Sequence, residues 1–202
     1  MTTGLYIVRG QPLHNGHLNM IRDKIQKECD DIIIAVGSAE EGFTKRNPLY
    51  GGERVRIFNK LLSEELEKPF RVYPVPDLKM PHKYARYVEA LLPSFDVVYA
   101  NPETTSLFVQ KGYKAGIPQN HIRELSATSI REKIWKDDET WKIDVHPIVL
   151  EELIKMDAVN RIRRIMGGGI GKVDPEAAEF VFNLGIPITA LPTHIAKKSI
   201  LK

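Results

Sequence analysis

Residues 4–17 read GLYIVRGQPLHNGH, and the reading of the whole chain turns on them. Leu5 to Val8 is a short apolar run rich in branched residues, with the length of a buried strand. Arg9 and a Gln11-Pro12 turn follow at once, and His14 and His17 then stand three apart around Gly16. If a helix starts near Asn15, that spacing projects both imidazoles toward one spot above its N-terminus. The terminus carries unpaired N–H groups and a partial positive charge, which suits a phosphate. Gly16 lets backbone approach a ligand closely, and Arg9 adds a planar cation matched to phosphate oxygens. A bare His-x-x-His pair on a surface turn would mean little; its placement between a strand and a helix gives it weight. Zinc is disfavoured, because no cysteine or third histidine lies nearby and the glutamate of a His-Glu-x-x-His motif is missing.

Outward from this stretch, strand-length apolar runs recur at Ile32 to Val36, Val72 to Val75 and Val97 to Ala100. Segments with helical spacing separate them, at Leu18 to Cys29, Glu53 to Leu66 and Tyr84 to Leu92. Such alternation predicts an α/β fold, a doubly wound and mainly parallel sheet with helices on both faces. Ligands of such sheets sit outside the carboxyl ends of the strands, which is where the first motif falls. Helices are then expected at Glu103 to Gln110, Ser129 to Lys136, Ile148 to Lys155 and Ala158 to Met166, with Pro147 suited to a helix start. MGGGIGK, residues 166–172, breaks the periodicity and reads as a hinge rather than a phosphate loop. The expected organisation is one domain over residues 1–166 and an appended extension over 167–202, with a helix in PEAAEFVFNL.

With 202 residues, the chain can bury one sizeable core. A hydrophobic share of 43% and a charged share of 27% place it among ordinary soluble proteins. Its 29 basic and 26 acidic residues are interspersed, so no polybasic arm for nucleic acid stands out. The lone Cys29 excludes an internal disulfide and any multi-cysteine metal site, and points to a reducing, cytoplasmic setting. No apolar run approaches the ~20 residues that span a bilayer, and no signal peptide is read at the start. No Ser-His-Asp or Cys-His arrangement suggests a side-chain nucleophile. Trp135 and Trp141 are read as packing residues and Cys29 as an inert thiol, while His82, His121, His146 and His194 have no motif context.

Two further constellations carry chemistry. IIIAVGSAEEGFTKRNPLYGGERVRI, residues 32–57, ends a strand in small residues over which a ligand can lie, then offers Lys45 and Arg46 in a loop before a helix. ELSATSIREKI, residues 124–134, lets Ser126 or Thr128 cap a helix whose first turns carry Arg131, again aiming N–H donors and a guanidinium at an anion.

Taken in this order, the motifs resemble those of the archaeal-type nicotinamide mononucleotide (NMN) adenylyltransferases, within the HxGH nucleotidyltransferase superfamily. VRGQPLHNGH is similar to GRFQPxHxGH, with departures at Val8 and Gly10; GSA with Arg46-Asn47-Pro48 and GGER is similar to the family's second segment. SATSIR matches SxTxxR, and DVVYANP, residues 96–102, resembles the segment after the fourth strand. Class I aminoacyl-tRNA synthetases also carry HxGH, but need a much longer chain and a lysine loop absent here. The resemblance covers roughly residues 4–166 and implies a Rossmann-like fold, often in homo-oligomers, acting on ATP with Mg²⁺ and on a phosphorylated acceptor, with no metal held by protein ligands. By that resemblance His14, His17, Arg46 and Arg131 are catalytic. Arg9, Gln11, Gly16, Ser126 and Thr128 join Arg131 in binding ATP, and Gly37, Ser38, Ala39, Tyr84 and Asn101 bind the acceptor. Pro81 and Tyr84 stand where an asparagine and a tryptophan are usual. Tyrosine can stack on a pyridine ring, but proline cannot hydrogen-bond a carboxamide, so other acceptors (pantetheine phosphate, flavin mononucleotide or a CTP-dependent reaction) and a non-catalytic nucleotide-binding module stand as alternatives.

Overall fold

In the computed structural model, which describes residues 1–116 and 125–168, five parallel strands form one sheet in the order β3-β2-β1-β4-β5. They are β1 Thr3–Val8, β2 Asp31–Gly37, β3 Phe70–Val75, β4 Val97–Tyr99 and β5 Lys114–Ala115. Because strand order runs one way from β1 to β3 and the other way from β4, the chain has a switch point between β1 and β4. A crevice opens there, outside the carboxyl ends.

The register explains how both faces are covered. Leu5 aligns with Ile33 and Val98, whereas Tyr6 aligns with Ile34 and Tyr99. The first set packs against Ala85, Val88 and Phe108 on one face; the second packs against Ile21, Phe58, Ile130 and Trp141 on the other. Strand β2, flanked on both sides, is buried at every position, as a central parallel strand must be. Pro74 is tolerated because β3 is an edge strand. Strand β5 escaped the sequence reading, since two exposed residues carry no periodicity.

Helix α1, Asn15–Asn19, starts where the histidine motif placed it, ahead of the apolar spacing from Leu18, and runs on through a π-helical stretch, Met20–Ile25, into α2, Gln26–Glu28. The remaining helices are α3 Gly51–Glu65, α4 Tyr84–Leu91, α5 Pro102–Val109, α6 Ala127–Trp135, α7 Pro147–Lys155 and α8 Ala158–Met166. Helix α3 organises one face. Its Glu53 takes a two-pronged ion pair from Arg161 of α8 at 2.7 and 2.9 Å, and its Arg56 and Lys60 reach the buried Glu152 of α7. His146, given no role from sequence, caps α7 by accepting the Ile148 N–H and lies 3.3 Å from Glu65.

Trp141 is buried as expected, but Trp135 is 46% exposed and corrects the expectation that both indoles are packing residues. It is the last residue of α6, where only part of the ring is covered. Cys29 is buried with its thiol pushed up, chiefly by burial. No helix of the described residues is long and apolar enough to cross a membrane. A compact unit spans Met1–Gly167 and holds every element named above. The helix expected at 175–184, nearly all of the extension expected over 167–202, most of the glycine hinge, His121 and His194 lie outside the described residues.

Candidate functional site

A cleft of about 1070 Å³ opens at the carboxyl ends of the central strands. Its wall brings together Arg9, His14, Gly16, His17, Gly37, Ser38, Arg46, Tyr84, Asn101 and Ser126, with Pro81 beside them. Most of the residues singled out from five separate stretches of sequence therefore meet at one place.

One half of the cleft is built for anions. His14 occupies the N-cap of α1 in an extended conformation, and its ring stacks on His17 with centroids 3.7 Å apart. Nδ1 of His17 accepts the His14 backbone N–H at 3.3 Å. In the neutral ring the proton therefore sits on Nε2, and the imidazole presents a donor on that edge. A Cβ on Gly16 would come within 3.1 Å of the His14 ring. A side chain there would crowd the His14 ring, a second reason for glycine beside the close ligand approach read from sequence. A second helix N-terminus faces the same space: Ser126 caps α6 by accepting the Ser129 N–H at 3.1 Å, and Ser126 and Ala127 line the wall.

Gln11, Ala39, Thr128 and Arg131 are not on the cleft wall. The Gln11 amide is buried and exchanges two hydrogen bonds with the Leu49 backbone, at 2.8 and 3.0 Å. Arg131 is also buried, donating from Nη1 to the Gln11 carbonyl at 2.7 Å and from Nη2 to the Thr128 hydroxyl at 3.2 Å. Burial above all lowers the pKa of Arg131; Arg9 and Arg46 push the same way against Glu132. Three guanidinium groups thus converge, two on the wall and one behind it.

The other half is electronegative. Ser38 adopts a positive φ of 51°, and Asp77 holds it there by accepting from its N–H at 3.2 Å and its hydroxyl at 2.7 Å. Glu40 in turn accepts the Asp77 N–H, and Asn47 donates to Glu41. The carboxylates of Glu40, Glu41 and Asp77 lie within 4.8 Å of one another, the one such cluster spaced to hold a metal ion among the described residues. The hydroxyl of Tyr84 beside them is pushed up to about 12, first by burial and then by Asp77, with Tyr87 and Glu40 acting the same way and Arg9 opposing. Asn101 spends its side-chain oxygen on capping α5 through the Thr104 N–H at 2.8 Å. Sequence reasoning named Tyr84 and Pro81 but missed this carboxylate wall.

It also missed Arg54. This guanidinium, 1% exposed, donates to the carbonyls of Arg9 at 2.9 Å, Gly37 at 2.6 Å and Ser38 at 2.8 Å. Burial lowers its pKa to about 10, so it stays charged at neutral pH.

The protein has sequence relatives that match it over most of their length. It is 39% identical over 163 residues to a nicotinamide-nucleotide adenylyltransferase from Methanococcus aeolicus, covering 80% of this chain and 93% of that one. Against a nicotinamide-nucleotide adenylyltransferase from Saccharolobus solfataricus the identity is 37% over 171 residues, covering 83% and 98%. Among solved structures, a bifunctional NMN adenylyltransferase/ADP ribose pyrophosphatase from Francisella tularensis superposes with a TM-score of 0.63 at 17% identity. That match covers 80% of this chain and 52% of the bifunctional one, and it shows the shared fold. No family model matches the sequence. The chain belongs to the nicotinamide-nucleotide adenylyltransferase family.

Proposed function

We propose that this chain transfers the adenylyl group of ATP, taken as its Mg²⁺ complex, to nicotinamide mononucleotide, giving NAD and pyrophosphate. One observation carries the reading: the stacked His14 and His17 rings stand at a helix N-terminus, on the same cleft as Arg9, Arg46 and the start of α6. A phosphate monoester is a competent nucleophile near neutral pH. Its oxygen forms the new bond to the α-phosphorus of ATP as the bond from that phosphorus to the pyrophosphate oxygen breaks, and no side-chain nucleophile takes part. Catalysis then consists of holding two phosphates in line and stabilising the charge that grows on them.

In this scheme Nε2 of His17 donates to the α-phosphate, with His14 packed against it to fix the ring. Arg9 and Arg46 hold the β- and γ-phosphates from the wall. Arg131 acts from behind, adding positive potential and fixing the loop through Gln11 and the α6 start through Thr128. Ser126 and Gly16 keep the two helix N-termini open to the phosphates. Mg²⁺ carried in with ATP would offset part of the phosphate charge beside these arginines.

The acceptor reading rests on the other half. Tyr84 offers an aromatic face to a pyridine ring, and Asp77 and Glu40 set a negative field around it. A pyridinium cation is favoured by both features, whereas pantetheine phosphate and flavin mononucleotide bring no cationic group. Gly37 ends β2 and Ser38 follows it on the wall, small residues that leave room for the acceptor's sugar and phosphate near Asn101, with Ala39 next in the turn. Residues 1–166 carry the activity, with 167–202 appended. The partners proposed are small molecules, in keeping with interspersed charge, the setting is cytoplasmic, in keeping with a lone cysteine, and assembly into homo-oligomers follows from the family resemblance alone.

An equimolar mixture of NMN, pantetheine phosphate and flavin mononucleotide, offered with Mg²⁺ and either ATP or CTP, tests this reading. NAD as the dominant product, identified by mass, is expected with ATP; another adenylylated or cytidylylated product in excess overturns the acceptor assignment.

A further inference from the structure

We propose that Arg54 is a positioning residue that sets the register between the two halves of the cleft, so that its loss lowers kcat far more than it weakens either substrate. The proposal rests on the adenylyl-transfer reading given above. In a parallel sheet the backbone carbonyls at the carboxyl ends of the strands point toward the ligand, and their partial negative charges oppose a triphosphate. Arg54 answers that problem from beneath the cleft. Its Nη1 donates to the carbonyls of Arg9, just after β1, and Gly37, which ends β2; its Nη2 donates to that of Ser38. Nε reaches the Tyr50 carbonyl at 3.3 Å, so every nitrogen of the group is used.

The partners belong to different halves of the site. Arg9 lies on the anion-binding wall with the histidines, whereas Ser38 starts the chain that runs through Asp77 to Glu40 on the acceptor wall. One rigid planar group thus spans the ends of two neighbouring strands and ties each wall to the other. A guanidinium can do this because its donors fan out in a plane; an ammonium on a flexible stem cannot hold the same carbonyls at once. The side chain is delivered from the first turn of α3, whose start is pressed against the turn after β2: a Cβ on Gly51 would lie 2.4 Å from the Ala39 carbonyl oxygen. The helix itself does not depend on Arg54. Ile57, Phe58, Leu61 and Leu62 bury its inner face, and the Glu53 pair with Arg161 anchors its start.

Each half keeps its own side chains when Arg54 is replaced, so each substrate still binds. What is lost is their alignment, on which in-line transfer depends steeply. Arg54→Lys keeps the charge and tests the geometry; Arg54→Ala with added guanidinium tests whether the group alone suffices. Steady-state kinetics with ATP and NMN are measured alongside thermal unfolding of the full chain. The expected result is a kcat at least tenfold below wild type in folded Arg54→Lys, with each KM changed by less than threefold. Millimolar guanidinium is expected to raise kcat of Arg54→Ala at least threefold and to leave wild type unchanged. A kcat within twofold of wild type in Arg54→Lys overturns the proposal, as does a defect that appears in KM alone. If Arg54→Lys fails to fold, an Arg54→Ala variant that stays folded but is not raised by guanidinium overturns it; unfolding of both variants overturns it too, by making the role purely structural. Wild-type enzyme that forms no dinucleotide overturns the functional reading itself, a result distinct from an active wild type with an unaffected variant.

Discussion

The two halves of the cleft are built by different means. The phosphate half is built around helix termini: α1 and α6 both point N–H groups at it, His14 and Ser126 sit at their N-caps and His17 one turn in, with Arg9 and Arg46 added from a strand end and a loop. The acceptor half uses a turn after β2 and a loop after β3, cross-tied by Ser38, Asp77 and Glu40. One half carries convergent positive charge and the other convergent negative charge. A helix terminus imposes fixed sequence spacing, whereas two loops that meet in space impose none, and the functional consequences divide along the same line.

The largest effect expected from this division is at His17. His17→Ala removes a donor aimed at developing charge and is expected to lower kcat about 100-fold, with the NMN KM nearly unchanged. An acceptor KM that rises while kcat holds would place His17 in the wrong half. Next comes Arg46→Ala, for which the ATP KM is expected to rise about tenfold through loss of a charge-assisted phosphate contact; high salt should shrink the difference. On the opposite wall, Asp77→Asn keeps the shape and removes one negative charge. Wild type is expected to prefer NMN over nicotinic acid mononucleotide, whose extra carboxylate meets that wall, and the variant to narrow the ratio about fivefold. Competition between the two acceptors in one tube gives the ratio independently of how much enzyme is active, and an unchanged ratio removes Asp77 from specificity. The smallest effect belongs to Ser126→Ala. Loss of this cap is expected to cost about 1 kcal/mol in urea unfolding, with a modest rise in the ATP KM.

The same division decides how much was legible in the sequence. Strand-length apolar runs and helical spacing specify the doubly wound sheet, because buried central strands and amphipathic helices write their periodicity directly into the chain. His14, His17 and Ser126 were legible for the same reason, since caps sit at fixed offsets from a helix start. Arg131 was found but misplaced: its spacing to the cap is right, yet the guanidinium turns inward to the Gln11 carbonyl. Asp77, Glu40 and Glu41 were not found. A pair 37 residues apart that meets through a loop has no local signature, and three exposed acids look like solvated surface. Arg54 was hidden by its composition: an arginine in the first turn of an amphipathic helix, next to Glu53, reads as surface charge until the two strand ends beneath it are seen. The two-residue β5 and the π-helical stretch leave no period to detect.

The most direct test of the account uses NMN carrying ¹⁸O in its phosphate, incubated with ATP, Mg²⁺ and the full chain, with the mass of every product read at the end. Attack of the acceptor phosphate on the α-phosphorus predicts NAD that retains all of the label, together with unlabelled pyrophosphate. Label in pyrophosphate, or no NAD while ATP is consumed, would contradict it.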